Sequence, residues 1–323
     1  MPTSISGTAG VAIGSGAAYT FGDGSTQTSA ADPADFGFKN RIINGAMQIA
    51  QRATSATITA GSTIAAGYST VDRFYVYCTG ANVTAAQVAG SGAIKNNLQI
   101  TGAASVTAVG IGQRIEQLNS YDMAGSIATL SVNVSNSLLT TVTWTAYYAN
   151  TADTFGTLAS PTRTQIATGT FTVTSTLTNY STQISIPAAA TTGIEIVFTV
   201  GAQTSGTWVI GNVQLEKNPG ATGFDIRPYT TELALCQRYF QRFNGDYRWD
   251  TYMATGDDWF GTIPLGISMR SAPTATGSYS AGLGSTMSFS SAEVNKVLLY
   301  GSPTTSTGGQ FYVATNLALS AEL

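Results

Sequence analysis

Between residues 246 and 259 the chain sets four aromatic side chains, Tyr247, Trp249, Tyr252 and Trp259, among four carboxylates, Asp246, Asp250, Asp257 and Asp258. Aromatic ring faces stack on the C–H faces of sugars, and carboxylates accept hydrogen bonds from sugar hydroxyls. Tyr247, Trp249, Tyr252, Asp257, Asp258 and Trp259 are therefore the candidate contacts for a glycan or a host surface. The same rings also suit a hydrophobic core, and Asp257-Asp258 beside glycine suits a solvated turn.

Glycoside hydrolysis needs two carboxyl groups flanking a cleft. The acids available for it are Glu116, Asp122, Glu195, Glu216, Asp225, Asp257 and Asp258. Glu116 and Glu216 lie in strand-like runs, where pairing with Arg73, Arg114 or Arg227 at the edge of a core accounts for them. The chain contains no histidine. That removes Ser-His-Asp and Cys-His catalysis and every histidine-bound metal. Cys78 and Cys236 sit in apolar or amphipathic surroundings and read as buried free thiols of a protein made in a reducing compartment. No DxDxDG loop signals calcium, whose binding the sequence leaves open; no metal-site residues are singled out and no cofactor is expected. A net charge of -3 with scattered Lys and Arg gives no footprint for nucleic acid. No apolar run reaches the length of a membrane helix, and the first residues carry none of the marks of a signal peptide.

The elements that must hold these groups are strands. Only 10% of the residues are charged, whereas Ser and Thr together number 80, so hydroxyls occupy the positions where helical proteins place Lys and Glu. Strand-like runs at 71–78, 98–101, 128–134, 140–148, 168–173, 182–186, 194–200 and 207–215 are separated by Gly, Asn, Ser and Pro. This is the pattern of an antiparallel sandwich or jelly roll. Alternation fails in the run IEIVFTV at 194–200, which marks a strand covered on both faces. Residues 1–37 carry single apolar residues at a period of two (Val11 and Ile13, Tyr19 and Phe21) and a turn at Asp23-Gly24. Such a segment cannot build its own core; it is either a flexible arm or a segment that pairs with copies of itself or with a partner.

Residues 230–243 form the expected helix, capped by Thr230, with Leu233, Cys236, Gln237 and Phe240 on one face. Further strand runs occupy 259–267, 275–280, 286–290, 294–300 and 309–314. The expected fold is all-β: an extended N-terminal arm (1–37), a jelly-roll β-sandwich (38–229), one short connecting helix (230–243) and a small C-terminal β domain (244–323). An arm and a last domain without self-sufficient cores imply a homo-oligomer, a homotrimer by preference.

Several phrases resemble, in order, segments of bacteriophage tail fibre and virion surface proteins. Residues 40–49, NRIINGAMQI, resemble the opening LINGDFQIWQRG of such proteins, and residues 68–74, YSTVDRF, resemble the phrase Y-x-ADRW. Residues 112–116, GQRIE, are similar to a QRIE strand element. Residues 214–224, QLEKNPGATGF, and 227–241, RPYTTELALCQRYFQ, resemble QLE-x-G-x-x-ATPFE followed by RPYGEELALCQRYYQ. The phrase FGDGSTQTSA at 21–30 is similar to one near the stalks of tail fibres, and residues 269–274 and 320–323 resemble the C-terminal domain of the same proteins. Phe74 stands where Trp is commoner, Gly223 stands where Pro is usual, and the acidic residue is Asp225.

The resemblance implies a virion surface protein whose central domain is similar to carbohydrate-binding jelly rolls. The expected function is that of a structural fibre or decoration protein, not an enzyme, carried on the virion after synthesis in the host cytoplasm. It would be anchored to other virion proteins through residues 1–37 and would contribute to attachment to host-surface glycan. Two alternatives stand beside it: a polysaccharide-degrading tailspike working through Asp257 or Asp258, and a head or tail protein without a receptor.

Overall fold

The computed structural model describes residues 19–20, 26–27, 38–61, 67–92, 95–243, 247–252, 257–277, 279–281, 285–303, 308–313 and 317–323. The chain divides into two compact units, 1–37 and 38–323. In the first, β1 (Tyr19–Thr20) and β2 (Thr26–Gln27) pair antiparallel, with Tyr19 opposite Gln27. The turn expected at Asp23-Gly24 and the pair Val11 and Ile13 lie outside the described residues.

The second unit opens with a sandwich of eleven strands in two antiparallel sheets. In chain order they are β3 (Ser55–Ile58), β4 (Tyr75–Thr79), β5 (Val83–Ala89), β6 (Asn96–Thr101), β7 (Ala108–Ile115), β8 (Ile127–Asn136), β9 (Thr141–Ala149), β10 (Arg163–Thr172), β11 (Thr178–Ser185), β12 (Ile194–Val200) and β13 (Thr207–Glu216). One sheet runs β10-β9-β12-β7-β4 and the other β11-β8-β13-β6-β5-β3. The period of two fills the space between them: Ile194, Ile196, Phe198 and Val200 of β12 join Trp208, Leu130, Val132, Leu98 and Ile100 in one continuous core. β12 is the middle strand of its sheet and is largely covered on both faces, which is why its alternation fails.

Sequence patterning missed β3, β5 and β7. β5 is rich in alanine, and β7, AVGIGQRI, carries two glycines, a residue type that strands disfavour.

The helix α1 spans Tyr229–Gln237 and is shorter than expected. Its N-cap is Pro228, with no capping side chain, so Thr230 lies inside the first turn and is not the cap. It stops because Phe240–Phe243, expected to be helical, is a strand: β14 pairs with β22 (Leu317–Ser320), Phe240 opposite Ser320. Cys236 and Tyr239 are fully buried with Ile43 and Ile49, and Leu233 packs against them. Both cysteines are free and buried.

The remaining strands are β15 (Tyr247–Tyr252), β16 (Trp259–Pro264), β17 (Thr274–Thr276), β18 (Tyr279–Ala281), β19 (Ser285–Glu293), β20 (Lys296–Pro303) and β21 (Gly308–Val313). With β14 and β22 they make three three-stranded sheets, β14-β22-β17, β15-β21-β18 and β16-β20-β19. Ile263, Met269, Val297, Leu299, Leu317 and Leu319 form a separate small core.

Buried ion pairs tie this part to the sandwich. Arg73 is 1% exposed. One of its terminal nitrogens pairs with Glu322, the other donates to the Arg114 carbonyl at 2.6 Å, and its guanidinium lies 3.5 Å from the Tyr239 ring centre. Arg52 reaches the same Glu322 at 3.1 Å and lies 3.7 Å over the Phe240 ring. Backbone bonds add Ala321 N to Tyr239 O and Arg270 N to Arg238 O, both at 2.8 Å.

The pairings expected for Glu116 and Glu216 are different from those found. Glu116 follows the end of β7 and meets Arg238, just past α1, at 3.1 Å and Arg270 at 3.7 Å. Glu216, fully buried, accepts from Gln214 Nε2 at 3.0 Å and from the Thr222 backbone and hydroxyl at 2.9 and 2.6 Å. Arg227 pairs with Glu232 at 3.1 Å. The phrases that carry the fibre-like resemblance are thus largely spent on holding the joint together.

Candidate functional site on the five-stranded sheet

The register of the five-stranded sheet lays its outward-facing residues in rows. One row reads Tyr77, Gly110, Thr199, Thr143 and Thr170. The next reads Tyr75, Gly112, Val197, Thr145 and Thr168, and a third reads Arg114, Glu195, Tyr147 and Gln165. Arg163, opposite Ala149, begins the fourth.

The two glycines exist for the tyrosines. Tyr75 and Tyr77 lie across Gly112 and Gly110, and a Cβ added at Gly112 would stand 2.8 Å from Tyr75 Cε1 and closer still to Cζ. A Cβ at Gly110 would overlap the Tyr77 ring in the same way. Real side chains do not tolerate such contacts, so glycine is the only residue that lets the rings lie flat on the sheet.

Tyr75 is the fixed member of the pair. It is fully buried, packs edge-on against Tyr68 at 5.9 Å, and donates its hydroxyl to Glu195 Oε1 at 2.8 Å. Burial, and then the Glu195 charge, push its phenol well above the ordinary value of 10.0. Tyr77 is half-buried and stacks against Tyr75 at 6.4 Å with 26° between the planes. Burial raises its phenol as well, so both hydroxyls stay protonated and able to donate. Tyr147 is half-buried beneath the Arg163 guanidinium, 4.1 Å from its ring centre. Thr143 and Thr199 are half-exposed, and the hydroxyls of Thr145 and Thr168 bond to each other at 3.0 Å.

The result is a floor with two partly open rings, a row of hydroxyls and one guanidinium. Rings of this kind stack on sugar faces, while the hydroxyls and guanidinium fix orientation by hydrogen bonds. The opposite outer face of the sandwich has another character. Its rows pair Asn179 with Asn133, Ser181 with Ser131 and Gln183 with Thr129, and hold no aromatic residue.

The six residues singled out from sequence fall elsewhere, four on two different sheets and Asp257 and Asp258 just before β16. Tyr247, Trp249 and Tyr252 lie on β15, opposite Val313, Phe311 and Gly308, and Trp259 opens β16 opposite Gly301. The side chains of these four are outside the described residues. Asp257 and Asp258 are exposed, and Asp258 Oδ1 accepts from the Tyr300 hydroxyl at 2.7 Å. Phe260, 64% exposed, sets its ring 5.5 Å from that of Tyr300.

Sequence reasoning missed Tyr75, Tyr77, Tyr147 and Arg163. A signal was present: Tyr75 and Tyr77 repeat at an interval of two, as do Gly110 and Gly112, which is how rings over bare backbone must be spaced on paired strands. Among the described residues no group of three acidic or cysteine side chains is arranged to hold a metal ion. The carboxylates of Glu116, Glu195 and Glu216 are each saturated by partners inside the protein, an arrangement unlike two carboxyls facing a cleft.

No family model and no curated protein matches the sequence. Solved structures do. The enzymatically active domain of tailspike protein 4 of bacteriophage CBA120 is 16% identical over 55% of this chain and 21% of that one, with a TM-score of 0.33. The chain therefore spans about a fifth of that relative. TmCBM61 in complex with β-1,4-galactotriose is 10% identical over 55% of this chain and 99% of that one, with a TM-score of 0.34. A family 16 carbohydrate-binding module is 17% identical over 41% of this chain and 84% of that one, with a TM-score of 0.29.

Proposed function

We propose that this chain is a surface subunit of a bacteriophage particle, a fibre or decoration protein, that contributes to attachment by holding host glycan on the outer face of the five-stranded sheet. The observation that carries the glycan reading is the floor itself: Tyr77 and Tyr147 partly open beside the threonine row, on a sheet whose glycines are placed to keep the rings flat. The fibre-like phrases along the chain support the virion reading. Single-site sugar contacts are weak, and display in several copies, a homotrimer repeated over a particle, converts them into useful avidity. Residues 1–37 would anchor the subunit to other virion proteins.

The group formed by exposed Asp258 and Phe260 around half-buried Tyr300 supports a second contact area in the C-terminal part. A degrading tailspike would release reducing ends from host polysaccharide and lose that release on Asp257→Asn or Asp258→Asn. The saturated carboxylates of the sandwich favour the non-enzymatic reading.

Two measurements test the proposal. Fluorescently labelled full-length protein should bind host cells, and binding should fall after periodate oxidation of the cell-surface glycans and with Tyr147→Ala. Binding that survives both treatments overturns the glycan reading. Immunogold labelling should place the chain on the particle surface, and particles assembled with a chain lacking 1–37 should not carry it. Normal incorporation of that shortened chain refutes the anchoring role.

A further inference from the structure

We infer that the glycan held on this face is acidic, and that Arg163 receives its carboxylate. The inference rests on the glycan reading and adds the substrate class to it. Glu195 is fully buried, and its oxygens are used up. Oε1 accepts from Arg114 Nε and from the Tyr75 hydroxyl, both at 2.8 Å, and Oε2 accepts from Arg163 Nη1. Arg114 is used up too: beyond Glu195 it donates Nη1 to Leu323 O at 2.8 Å and Nη2 to Gly156 O at 3.1 Å.

Arg163 differs. It spends Nη1 alone, and among the described residues its Nε and Nη2 find no acceptor, nor are they sealed inside as the unpartnered Nε atoms of Arg41, Arg73 and Arg227 are. Nε and Nη2 are the two parallel donors of the guanidinium edge that match a carboxylate oxygen for oxygen. The edge is also held in place, since Nη1 is pinned by Glu195 and the guanidinium rests on the Tyr147 ring at 4.1 Å.

Glu195 is shared between Arg114 and Arg163, and of these two only Arg163 keeps an open edge. A neutral sugar at this edge would offer the two donors hydroxyl oxygens and no counter-charge. A uronic acid would offer a carboxylate whose two oxygens match both donors and carry the opposite charge.

The test is affinity electrophoresis of the full-length protein in gels containing polygalacturonate, alginate or hyaluronan, alongside their carboxyl-reduced forms and dextran sulfate. Retardation by at least one polyuronate, and about ten- to a hundredfold weaker retardation by its reduced form, is the expected result. Arg163→Gln and Arg163→Lys should each lose the preference, the lysine variant because it keeps the charge and lacks the fork. Should Arg163→Gln fail to fold, the comparison of acidic and reduced polymers on the unaltered protein still decides.

Equal retardation by reduced polymers overturns the acidic assignment and leaves the glycan reading standing. Retardation by dextran sulfate as strong as by the polyuronates, or a preference untouched in both variants, overturns the role of Arg163. No retardation by any polymer removes both the inference and the reading beneath it.

Discussion

Replacing Gly112 by alanine is the sharpest probe of how the tyrosine floor is built. Strand propensity alone favours the change, because alanine loses less backbone freedom than glycine, by about 0.5–1 kcal/mol. The structure opposes it. The new Cβ would overlap Tyr75, a ring with no exposed surface, hemmed in by Tyr68 and Tyr77 and tethered to Glu195. Overpacking of this kind costs about 1–3 kcal/mol. Displacing the ring also breaks a hydrogen bond to a buried carboxylate, which is worth about 1.5–3 kcal/mol. The net expectation is a loss of about 2–5 kcal/mol.

Gly110→Ala makes the internal control. Its clash is with Tyr77, half-buried and able to swing outward, so the loss should be only about 1 kcal/mol while the ring leaves the floor. Urea unfolding followed by tryptophan fluorescence, compared at equal m-values, gives both numbers. Equal costs for the two variants, or a Gly112→Ala protein within about 0.5 kcal/mol of the original, would refute the account of why β7 carries glycine.

Glu322→Gln removes the carboxylate from Arg73, a side chain 1% exposed, and should lower stability by about 3 kcal/mol in the same assay; a change near zero would mean the pair is not needed at the joint. Burial pushes the Cys236 thiol well above its ordinary value of 9.0, so a thiol reagent at pH 8 should find it unreactive until urea unfolds the chain, and rapid reaction in buffer would contradict the packing around it. Burial also raises the Asp72 carboxyl above 3.8, against the hydrogen bonds from Gln51 and the charge of Arg52. The folded state therefore holds that proton more tightly than the unfolded state, and this group's contribution is complete below 3.8 and lost as pH rises through the raised value. The stability of the original protein minus that of Asp72→Asn should fall across that window in urea titrations, and a flat or rising difference would refute it.

Much of the sandwich was legible because its strands follow the simplest rule available to a strand. Thr207–Glu216 and Ile194–Val200 announce themselves by β-branched and aromatic residues between turn signals. β7 did not, since its glycines answer to tyrosines on β4 more than thirty residues earlier, a cross-strand fact invisible in a local window. The helix end was misplaced for a similar reason: residues 240–243 have a helical-looking pattern but are claimed by β22, almost eighty residues later. Local density of rings and acids points to 247–259 instead. The floor of Tyr77, Tyr147 and Arg163 is assembled from three strands, and no stretch of sequence holds more than one of its parts. Arginine partners were likewise unreadable, because Glu116 and Arg238 are 122 positions apart.

The pair Arg73 and Glu322 is separated by 249 positions, and this bears on how the protein is made. Synthesis proceeds from the N-terminal side, so all strands of the sandwich emerge long before the carboxylate that answers its most deeply buried guanidinium. A chain broken off anywhere short of residue 322 must either leave Arg73 in water, disturbing the packing of Tyr239, or enclose a charge without a counter-ion. Chains that stop short of residue 322 are thereby marked by their own instability.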